Sequence, residues 1–256
     1  MLNSNPIYRK LAPIYDDIMQ DVDYDDWTDY IHSLIKYHHP GGITMLELAC
    51  GTGTMALKME QLDHYNITAT DASPDMICIA QKKGERQDSK IRWLVQDMCH
   101  LTLDHRFDII YLVFDSLNYL HKKNKILALF DSVHKLMNPG GIFLFDFTTP
   151  NYSPKIAELL NQVRSINRRI HYKRTSCYDS EKYLHTNHFF VKEYDPDSGR
   201  MVDQFEEIHL QKIWSFREIR NILQDSELRI TASYEDFDLS EANNNSDRIT
   251  MVLTHG

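Results

Sequence analysis

The sequence contains few cysteines and no long run of apolar residues. Its four cysteines stand at positions 50, 78, 99 and 177 with no CxxC pair among them, so neither a disulfide framework nor a zinc knuckle is predicted. No window reaches the roughly 18 uninterrupted apolar residues of a membrane span, and the acidic N-terminal stretch lacks the apolar core of a signal peptide. We therefore expect reduced thiols, a cytoplasmic location and no membrane partner.

Positive charge is also scarce. The 28 Lys and Arg residues face 37 Asp and Glu residues, which leaves a net charge of −9 over 256 residues. Because nucleic-acid binding rests on cationic neutralisation of phosphates, this balance disfavours a nucleic-acid partner. The 13 histidines do not indicate a metal site, since His38-His39 and His185-x-x-His188 have no carboxylate or cysteine at ligand spacing. We expect no metal.

The first 150 residues show a regular succession of apolar strands and helices. Strands that are apolar on both faces are predicted at 43–48, 67–70, 91–95, 107–114 and 142–147, and helical stretches separate most of them. Such strands are typical of a parallel sheet that helices cover on both sides. The sequence thus predicts a doubly wound, Rossmann-like α/β domain, in which ligands bind beyond the carboxyl ends of the strands.

The pattern changes after Pro150. A helix from Ile156 to Val163 is predicted first, and alternating segments follow near 168–178, 183–194 and 201–213, with a DPDSG hairpin turn between the last two. We interpret this part as a small antiparallel insertion of about three strands. Ser215 is expected to cap a last helix. Two strands near 228–235 and 248–254 are expected to rejoin the main sheet, which then has seven mainly parallel strands.

The chain is therefore divided into three parts. Residues 1–150 form a ligand-binding core with an N-terminal helical cover, residues 168–213 form the antiparallel insertion, and residues 214–256 complete the core sheet.

A glycine turn carries the first functional signal. The stretch LELACGTG (46–53) joins a predicted strand to a predicted helix, and Gly51 to Ala56 fits the dinucleotide fingerprint G-x-G-x-x-A. Asp71 lies twenty residues after Gly51, at the tip of the next strand. An acid at that place can hold the hydroxyl pair of a ribose. Together, the turn and the acid indicate a ligand that bears a nucleoside.

Two further acids distinguish between such ligands. Glu47, inside the first strand end, would repel a pyrophosphate, whereas it suits the cationic amino-acid end of S-adenosylmethionine. Asp97, at the tip of the third strand, can accept a hydrogen bond from the adenine amine while Met98 packs on the ring. Because a nicotinamide cofactor requires neither acid, S-adenosylmethionine is the favoured cofactor.

These motifs resemble those of the class I S-adenosylmethionine-dependent methyltransferases. LELACGTG is similar to their first motif, TATDAS to their acidic second motif, VQDM to their adenine-binding motif, and MNPGGIFLFDF to the turn and fifth strand that close the core. The resemblance covers about residues 1–150. More loosely, EEIHLQKIW and DRITMV are similar to a bacterial small-molecule subgroup that includes amino-sugar N-methyltransferases and carries an antiparallel lid.

The resemblance implies a set of cofactor-binding residues. They belong to the methionine-binding turn, the ribose acid and its neighbours, the adenine end, the end of the fourth strand and an N-terminal cover. In that order they are Glu47, Ala49, Gly51 and Gly53; Asp71, Ala72 and Met76; Gln96, Asp97 and Met98; Phe114; and Tyr8 and Tyr15. Cys50 departs from the family's pattern, but its side chain is small enough for the turn.

Candidate acceptor-binding residues follow the fourth strand and lie in the last part of the insertion. Asp115 and Asn118 come after a strand end that faces the methyl group in this fold, although Asp115 is equally suited to capping a turn. Glu207 and His209 share the polar face of the strand at 205–213, whose apolar face is expected to pack on the core. The candidate catalytic residues are Tyr15, Tyr119 and His209, of which none is singled out as an essential base.

The one basic run, between Arg164 and Arg174, receives a different interpretation. In a strand over 168–174, Arg168 and Arg174 share a face with Tyr172, and other cations lie on the opposite face. Charge on both faces is typical of a solvated strand. We therefore favour a solvent-exposed strand over a patch that binds an anionic substrate.

We expect an enzyme that transfers a methyl group from S-adenosylmethionine to a nitrogen or oxygen of a small-molecule acceptor, mainly by alignment and exclusion of water. Two alternatives stay open, namely an NAD-dependent dehydrogenase and a non-catalytic S-adenosylmethionine-binding protein. The insertion is expected to act as a lid that selects the acceptor, and it is equally compatible with the interface of a homodimer. No motif specifies the acceptor.

Overall fold

Two β-sheets organise the chain in the computed structural model, which describes residues 7–256. The strands of the larger sheet are β1 (Thr44–Leu48), β2 (Asn66–Asp71), β3 (Arg92–Val95), β4 (Phe107–Leu112), β5 (Met137–Thr148), β10 (Leu228–Glu235) and β11 (Arg248–His255). Their order across the sheet is β10–β11–β5–β4–β1–β2–β3. The five strands from β1 to β5 are parallel, and β11 pairs antiparallel with both β5 and β10. The predicted seven-stranded, mainly parallel sheet is confirmed.

Helices cover both faces of this sheet. The α-helices of the described residues are α1 (Tyr15–Ile18), α2 (Tyr24–His38), α3 (Thr54–Leu62), α4 (Pro74–Arg86), α5 (Lys123–Leu136), α6 (Ser153–Leu159) and α7 (Phe216–Leu223). Apolar side chains of α5 and α7 pack on one face and those of α2 and α3 on the other. Successive strand residues point to opposite faces, so Ile110 and Leu112 join the first cluster while Ile109 and Tyr111 join the second. This accounts for strands that are apolar throughout.

Side-chain caps begin two of the helices where the sequence predicts them. The Ser73 hydroxyl accepts a hydrogen bond from the Met76 N–H at 3.3 Å, and Pro74 occupies the first turn of α4. Ser215 and Glu218 form a reciprocal capping box at the start of α7. These caps fix where the chain leaves β2 and where it returns to the core after the second sheet.

The second sheet is antiparallel and has four strands rather than the expected three. They are β6 (Gln162–Ser165), β7 (Ile170–Asp179), β8 (Leu184–Tyr194) and β9 (Met201–Lys212), in that order across the sheet. The additional strand is β6, which includes Val163, a residue that the sequence analysis assigns to a helix. Asn161 ends that helix early, because its side chain bonds the Ala157 carbonyl at 2.7 Å and both backbone groups of Ser176 in β7. Val163 is 77% exposed.

The N-terminal segment, defined here as residues 7–18, lies against the second sheet. It contributes three buried apolar side chains, Leu11, Ile14 and Ile18, to a separate small cluster. On the sheet side this cluster contains Tyr172, Phe189 and Val191. The N-terminal segment therefore joins the second sheet to the rest of the molecule by apolar packing.

Replacement of Phe145 tests the packing of the main core. Phe145 is fully buried in β5, and its ring lies 5.2 Å from that of Phe143 and 5.8 Å from that of Phe130. We expect Phe145→Ala to lower the free energy of unfolding by about 3–5 kcal/mol, because it leaves a large cavity. Urea unfolding measures the change. Val163→Ala at an exposed position should change stability by less than about 0.5 kcal/mol. Similar costs for the two variants would contradict this account of the core.

Candidate active site

A cavity of about 600 Å³ lies beyond the carboxyl ends of β1 to β4. Between β1 and β4 the strand order reverses, because the chain continues from β1 to β2 and β3 on one side and from β4 to β5 on the other. Open α/β sheets bind ligands in the crevice at such a reversal. The loops that follow the four strands form its floor and sides, and the N-terminal segment closes it from above. The cavity therefore stands where the fold provides a binding site.

The glycine turn allows a ligand to come close to the backbone. Gly51 has a φ of +55°, and a Cβ built on it would meet only the ring of Tyr15, at 4.0 Å. Asp71 holds the turn in place, since it accepts hydrogen bonds from the Gly51 N–H at 2.9 Å and from the Ser73 N–H at 2.8 Å. The space beside Gly51 is thus a cradle in which any side chain would take up room.

Gly53 serves a different purpose in the same motif. Its φ is +78°, and a Cβ on it would lie 2.5 Å from the Trp93 ring and 3.0 Å from the Ala80 side chain. The residue therefore allows α3 to pack closely against α4 and β3. It does not belong to the lining of the cavity.

Glu47 places a buried carboxyl group at the cavity. The side chain is 2% exposed and lies at the end of β1, where its Oε2 accepts a hydrogen bond from the Tyr111 hydroxyl at 2.9 Å. Burial raises the pKa of Glu47 to about 8. A cationic group beside this carboxyl would stabilise its charged form and lower that pKa.

Twelve of the thirteen predicted cofactor residues line this one cavity. They are Tyr8, Tyr15, Glu47, Ala49, Gly51, Asp71, Ala72, Met76, Gln96, Asp97, Met98 and Phe114. The sequence analysis missed several further lining residues, among them Tyr24 and Thr52. Thr52 stands inside the glycine motif, which was a usable signal, whereas nothing in the local sequence distinguishes Tyr24 from a packing residue of α2.

A second cavity, of about 420 Å³, adjoins the first. It lies between the N-terminal segment, α6 and the inner face of the second sheet. Four aromatic side chains line both cavities: Tyr8, Tyr15, Phe114 and Tyr119. The two spaces are therefore separated by little more than these rings. Asp115 and His209, two of the predicted acceptor ligands, line the second cavity.

Four side chains form a hydrogen-bonded chain at the junction of the cavities. His209 Nδ1 lies 3.0 Å from the Tyr119 hydroxyl, which lies 2.5 Å from the Tyr8 hydroxyl. On the other side, His209 Nε2 lies 3.1 Å from Glu207 Oε1. Glu207 also accepts hydrogen bonds from the backbone N–H groups of Tyr8 and Leu11. Because an ionised carboxylate only accepts, His209 donates from Nε2 and offers the Nδ1 lone pair to Tyr119.

The phenol groups in this chain are neutral donors. Burial raises the pKa of Tyr8, of Tyr15 and of Tyr119 well above its ordinary value. Because a phenolate is strongly disfavoured, the Tyr119 hydroxyl can pass its proton to His209 only while it takes up another proton.

Asp115 belongs to a compact charged cluster at the edge of the second cavity. Arg248 donates to Asp115 at 2.8 Å and also to Asp146, which is fully buried in β5. Burial raises the pKa of Asp146, while the adjacent guanidinium acts to lower it. Thr148 donates a further hydrogen bond to Asp115. Arg248 was not among the predicted site residues, although it lies in the DRITMV stretch quoted for the resemblance.

Asn118 and Glu207 line neither cavity. Asn118 is fully buried, donates to the Lys212 carbonyl at 2.8 Å and accepts from the Thr148 N–H at 3.3 Å. It thereby connects the loop after β4 to the end of β9. Glu207 is committed to His209 and to the N-terminal backbone. The contacts of both residues are with the protein, and their predicted contact with an acceptor stays a prediction.

Similarity to known proteins identifies the family. Residues 45–141 match the methyltransferase-domain family. Over 248 residues, the chain is 32% identical to the YqeM protein of Bacillus subtilis (strain 168), which is named as a methyltransferase, and the match covers 95% of each chain. The chain belongs to the class I S-adenosylmethionine-dependent methyltransferases. This membership sets aside the dehydrogenase and the non-catalytic alternative.

Solved methyltransferase structures share the whole fold. An S-adenosylmethionine-dependent methyltransferase from Clostridium acetobutylicum ATCC 824 superposes with a TM-score of 0.78 at 26% identity, covering 97% of this chain and 99% of that one. A sugar N-methyltransferase from Streptoalloteichus sp. ATCC 53650 has a TM-score of 0.71 at 16% identity, with 91% and 89% covered. The second likeness shows the fold alone.

The methyltransferase cavity fits S-adenosylmethionine. The cradle at Gly51 would be filled by any Cβ, and the buried Glu47 carboxyl offers a counter-ion for a cationic group. No helix in residues 7–256 is long and apolar enough to cross a bilayer. Over the same range, no group of three or more His, Cys, Asp or Glu side chains is arranged to hold a metal ion.

The raised pKa of Glu47 predicts a pH-dependent cost to stability. The folded protein keeps a proton on Glu47 up to a pKa of about 8, whereas the unfolded chain releases it near 4.5. Stability therefore falls as the pH rises through this window. Glu47→Gln cannot ionise and still accepts from Tyr111, so it should gain stability over the wild type by on the order of 2 kcal/mol across the window.

Urea unfolding at pH 4.5 and at pH 8 measures this difference in the protein without ligand. Glu181→Gln, at an exposed glutamate of the turn between β7 and β8, is the control and should show no such pH-dependent gain. An equal effect of pH on wild type and Glu47→Gln would contradict the assignment of a neutral, buried Glu47.

Proposed function

We propose that this methyltransferase transfers the methyl group of S-adenosylmethionine to a nitrogen or oxygen atom of a small molecule bound in the second cavity. The observation that carries the proposal is the junction of the two cavities at Tyr8, Tyr15, Phe114 and Tyr119. One cavity contains the residues expected to bind the cofactor, and the other lies directly behind the shared rings. A donor and an acceptor can thus occupy adjoining spaces.

The proposed cofactor contacts follow the order of the strand ends. Glu47 and the cradle at Gly51 hold the amino-acid end, Asp71 holds the ribose, and Asp97 with Met98 holds the adenine. Each Asp71 oxygen accepts one backbone N–H group, which leaves lone pairs for ribose hydroxyl groups. Asp97 likewise accepts from the Cys99 N–H at 2.9 Å and keeps capacity for an exocyclic amine.

S-adenosylmethionine supplies an activated methyl carbon on a sulfonium centre. The protein's task is then to align the acceptor with that carbon and to exclude water. The rings of Tyr8, Tyr15, Phe114 and Tyr119 line both cavities, so the nucleophile is proposed to meet the methyl carbon beside these rings. Alignment of this kind accounts for a large part of rate enhancement in bimolecular reactions.

His209 is proposed as the group that accepts the acceptor's proton. Its imidazole lines the second cavity and is 1% exposed, and the Glu207 carboxylate fixes its orientation. The proton reaches Nδ1 directly or through the Tyr119 hydroxyl, and Nε2–H donates to Glu207 throughout. Glu207 acts as a positioning residue, since it touches His209 and the N-terminal backbone rather than the cavity.

The second sheet is proposed to act as the lid that selects the acceptor. Its inner face provides His185, Asn187 and His209 to the second cavity, and none of these residues lines the cofactor cavity. The sugar N-methyltransferase of the same fold makes amines the first acceptors to screen. The outer face of this sheet stays open to contact with a second copy of the chain.

A product screen tests the proposed function. The full chain is incubated with S-adenosylmethionine and with amines, sugars and a metabolite extract, and mass spectrometry searches for compounds that gain one methyl group together with S-adenosylhomocysteine. We expect a methylated small molecule. Binding of S-adenosylhomocysteine without any methylated product would contradict the proposal.

Gly51→Val tests the placement of the cofactor. The new side chain projects into the cradle, so binding of S-adenosylhomocysteine should become undetectable by calorimetry. Gly140→Val is the matched control, because Gly140 also has a positive φ, +79°, with nothing within 4 Å of its Cβ position. Both variants should lose about 1–2 kcal/mol of stability through backbone strain. Wild-type affinity in Gly51→Val would show that the cofactor lies elsewhere.

Tyr119→Phe and His209→Ala test the proton pathway on the acceptor found in the screen. We expect kcat to fall by about 100-fold in His209→Ala, because the acceptor's proton then has no imidazole to receive it. Affinity for S-adenosylhomocysteine should stay within about twofold, since His209 lies outside the cofactor cavity. His188→Ala, on the exposed part of the neighbouring strand, should leave kcat unchanged. An unaltered kcat in His209→Ala would refute a role for the imidazole in proton transfer.

A further inference from the structure

Arg174 brings a positive charge to the second cavity. It lies on β7, and its side chain lines the cavity rather than pointing to solvent. Both Nε and Nη2 donate to Asn187 Oδ1, at 3.0 and 2.9 Å, and the guanidinium lies 5.2 Å from the centre of the Phe189 ring. These contacts fix the plane of the guanidinium and leave its Nη1 group for another partner.

The other arginines of this cavity are already paired. Arg248 is bound by Asp115 and Asp146, and Arg164 lies 2.5 Å from Asp21. Within residues 7–256, Arg174 forms no ion pair with any carboxylate, and its hydrogen bonds go to a neutral amide. Removal of a cation from water is costly unless a negative charge compensates it. The charge of Arg174 is therefore available to a ligand.

We propose that the acceptor carries an anionic group, a carboxylate or a phosphate, in addition to its nucleophilic atom, and that Arg174 binds this group. The inference rests on the proposed transfer to a molecule in the second cavity. A guanidinium with a fixed plane and free N–H groups suits the oxygen atoms of either anion. Arg174 lines the second cavity together with Tyr8, Tyr15 and Tyr119, so an anion bound to it would share one space with the junction of the cavities.

The rest of the cavity defines the body of the acceptor. Part of its wall is apolar and contains aliphatic side chains from the N-terminal segment and α6, such as Ile18 and Ile156, together with the rings of Trp27 and Phe189. An apolar or aromatic body fits these walls. The expected acceptor is therefore amphipathic, with one anionic end at Arg174 and a nitrogen or oxygen nucleophile near Tyr119.

Simple anions test this site without knowledge of the acceptor. The full chain is saturated with S-adenosylhomocysteine, and the dissociation constants of benzoate, phenyl phosphate and neutral benzamide are measured by calorimetry. We expect at least one anion to bind about 10- to 100-fold more tightly than benzamide. The tighter anion identifies the acceptor group as carboxylate or phosphate. Equal affinity for all three compounds would overturn the proposal.

Variants on the two faces of β7 assign the effect to Arg174. Arg174→Met should reduce the affinity for the anion to that for benzamide, and Arg174→Lys should retain part of the preference. Lys173→Met, on the exposed face of the same strand, should behave as the wild type. If Arg174→Met does not fold, Arg174→Gln removes the charge while still donating to Asn187. A preference for anions that survives removal of the charge would refute a binding role.

The same variants separate this inference from the proposed function. Methylated products from neutral acceptors, formed at equal rates by wild type and Arg174→Met, would leave the methyl transfer intact and overturn the anion site. A preference for anions that depends on Arg174, without any methylated product, would support the site and contradict the transfer to a small molecule.

Discussion

Both cavities depend on the position of the N-terminal segment between the two sheets. The backbone of Tyr8 is held from both sides, since its N–H donates to Glu207 of β9 and its carbonyl accepts from the Ser73 hydroxyl at 3.1 Å. Tyr8 has a φ of +60°, an unfavourable conformation that these bonds maintain. The segment thereby carries Tyr8 and Tyr15 to the junction, where they separate the two spaces. Without it, the cofactor cavity would lose its cover and the second cavity one of its walls.

The fold of the core and the cofactor cavity were predictable because their signals are local. In a parallel sheet the carboxyl ends of neighbouring strands meet at one edge. The residues at or just after the ends of β1, β2 and β3, such as Gly51, Asp71 and Asp97, must therefore approach one another. The motifs needed only to be placed at strand ends, and a shift of one or two residues in a strand boundary would not have moved them from the cavity. Gly53 is the exception, since its requirement for glycine comes from the packing of Trp93.

The second cavity could not be derived in this way because distant segments build it. The hydrogen bonds at the junction join Tyr8 to Tyr119 and to Glu207, positions 111 and 199 residues apart in the chain. The alternation in β9 was clear, but the expected packing of its apolar face on the core was wrong. Ile208 is 46% exposed, whereas the polar residues Glu207 and His209 are buried. The polar face turns inward because it meets backbone N–H groups of the N-terminal segment, and no periodicity indicates such a partner.

Arg174 shows how a charged residue can be misjudged when only its own strand is considered. Charge on both faces of β7 indicated solvent, yet Tyr172 and Ser176, on the same face as Arg174, are buried. The position of Arg174 on the same face as Tyr172 was the signal in the sequence that could have indicated an inward side chain. The matched methyltransferase domain ends at residue 141, before the second sheet begins. Arg174, Asn187 and His209 all lie beyond it, whereas the strand ends that line the first cavity lie within it. Under the proposed function, changes on the inner face of the second sheet would alter the choice of acceptor while the strand ends proposed to bind the cofactor remain as they are.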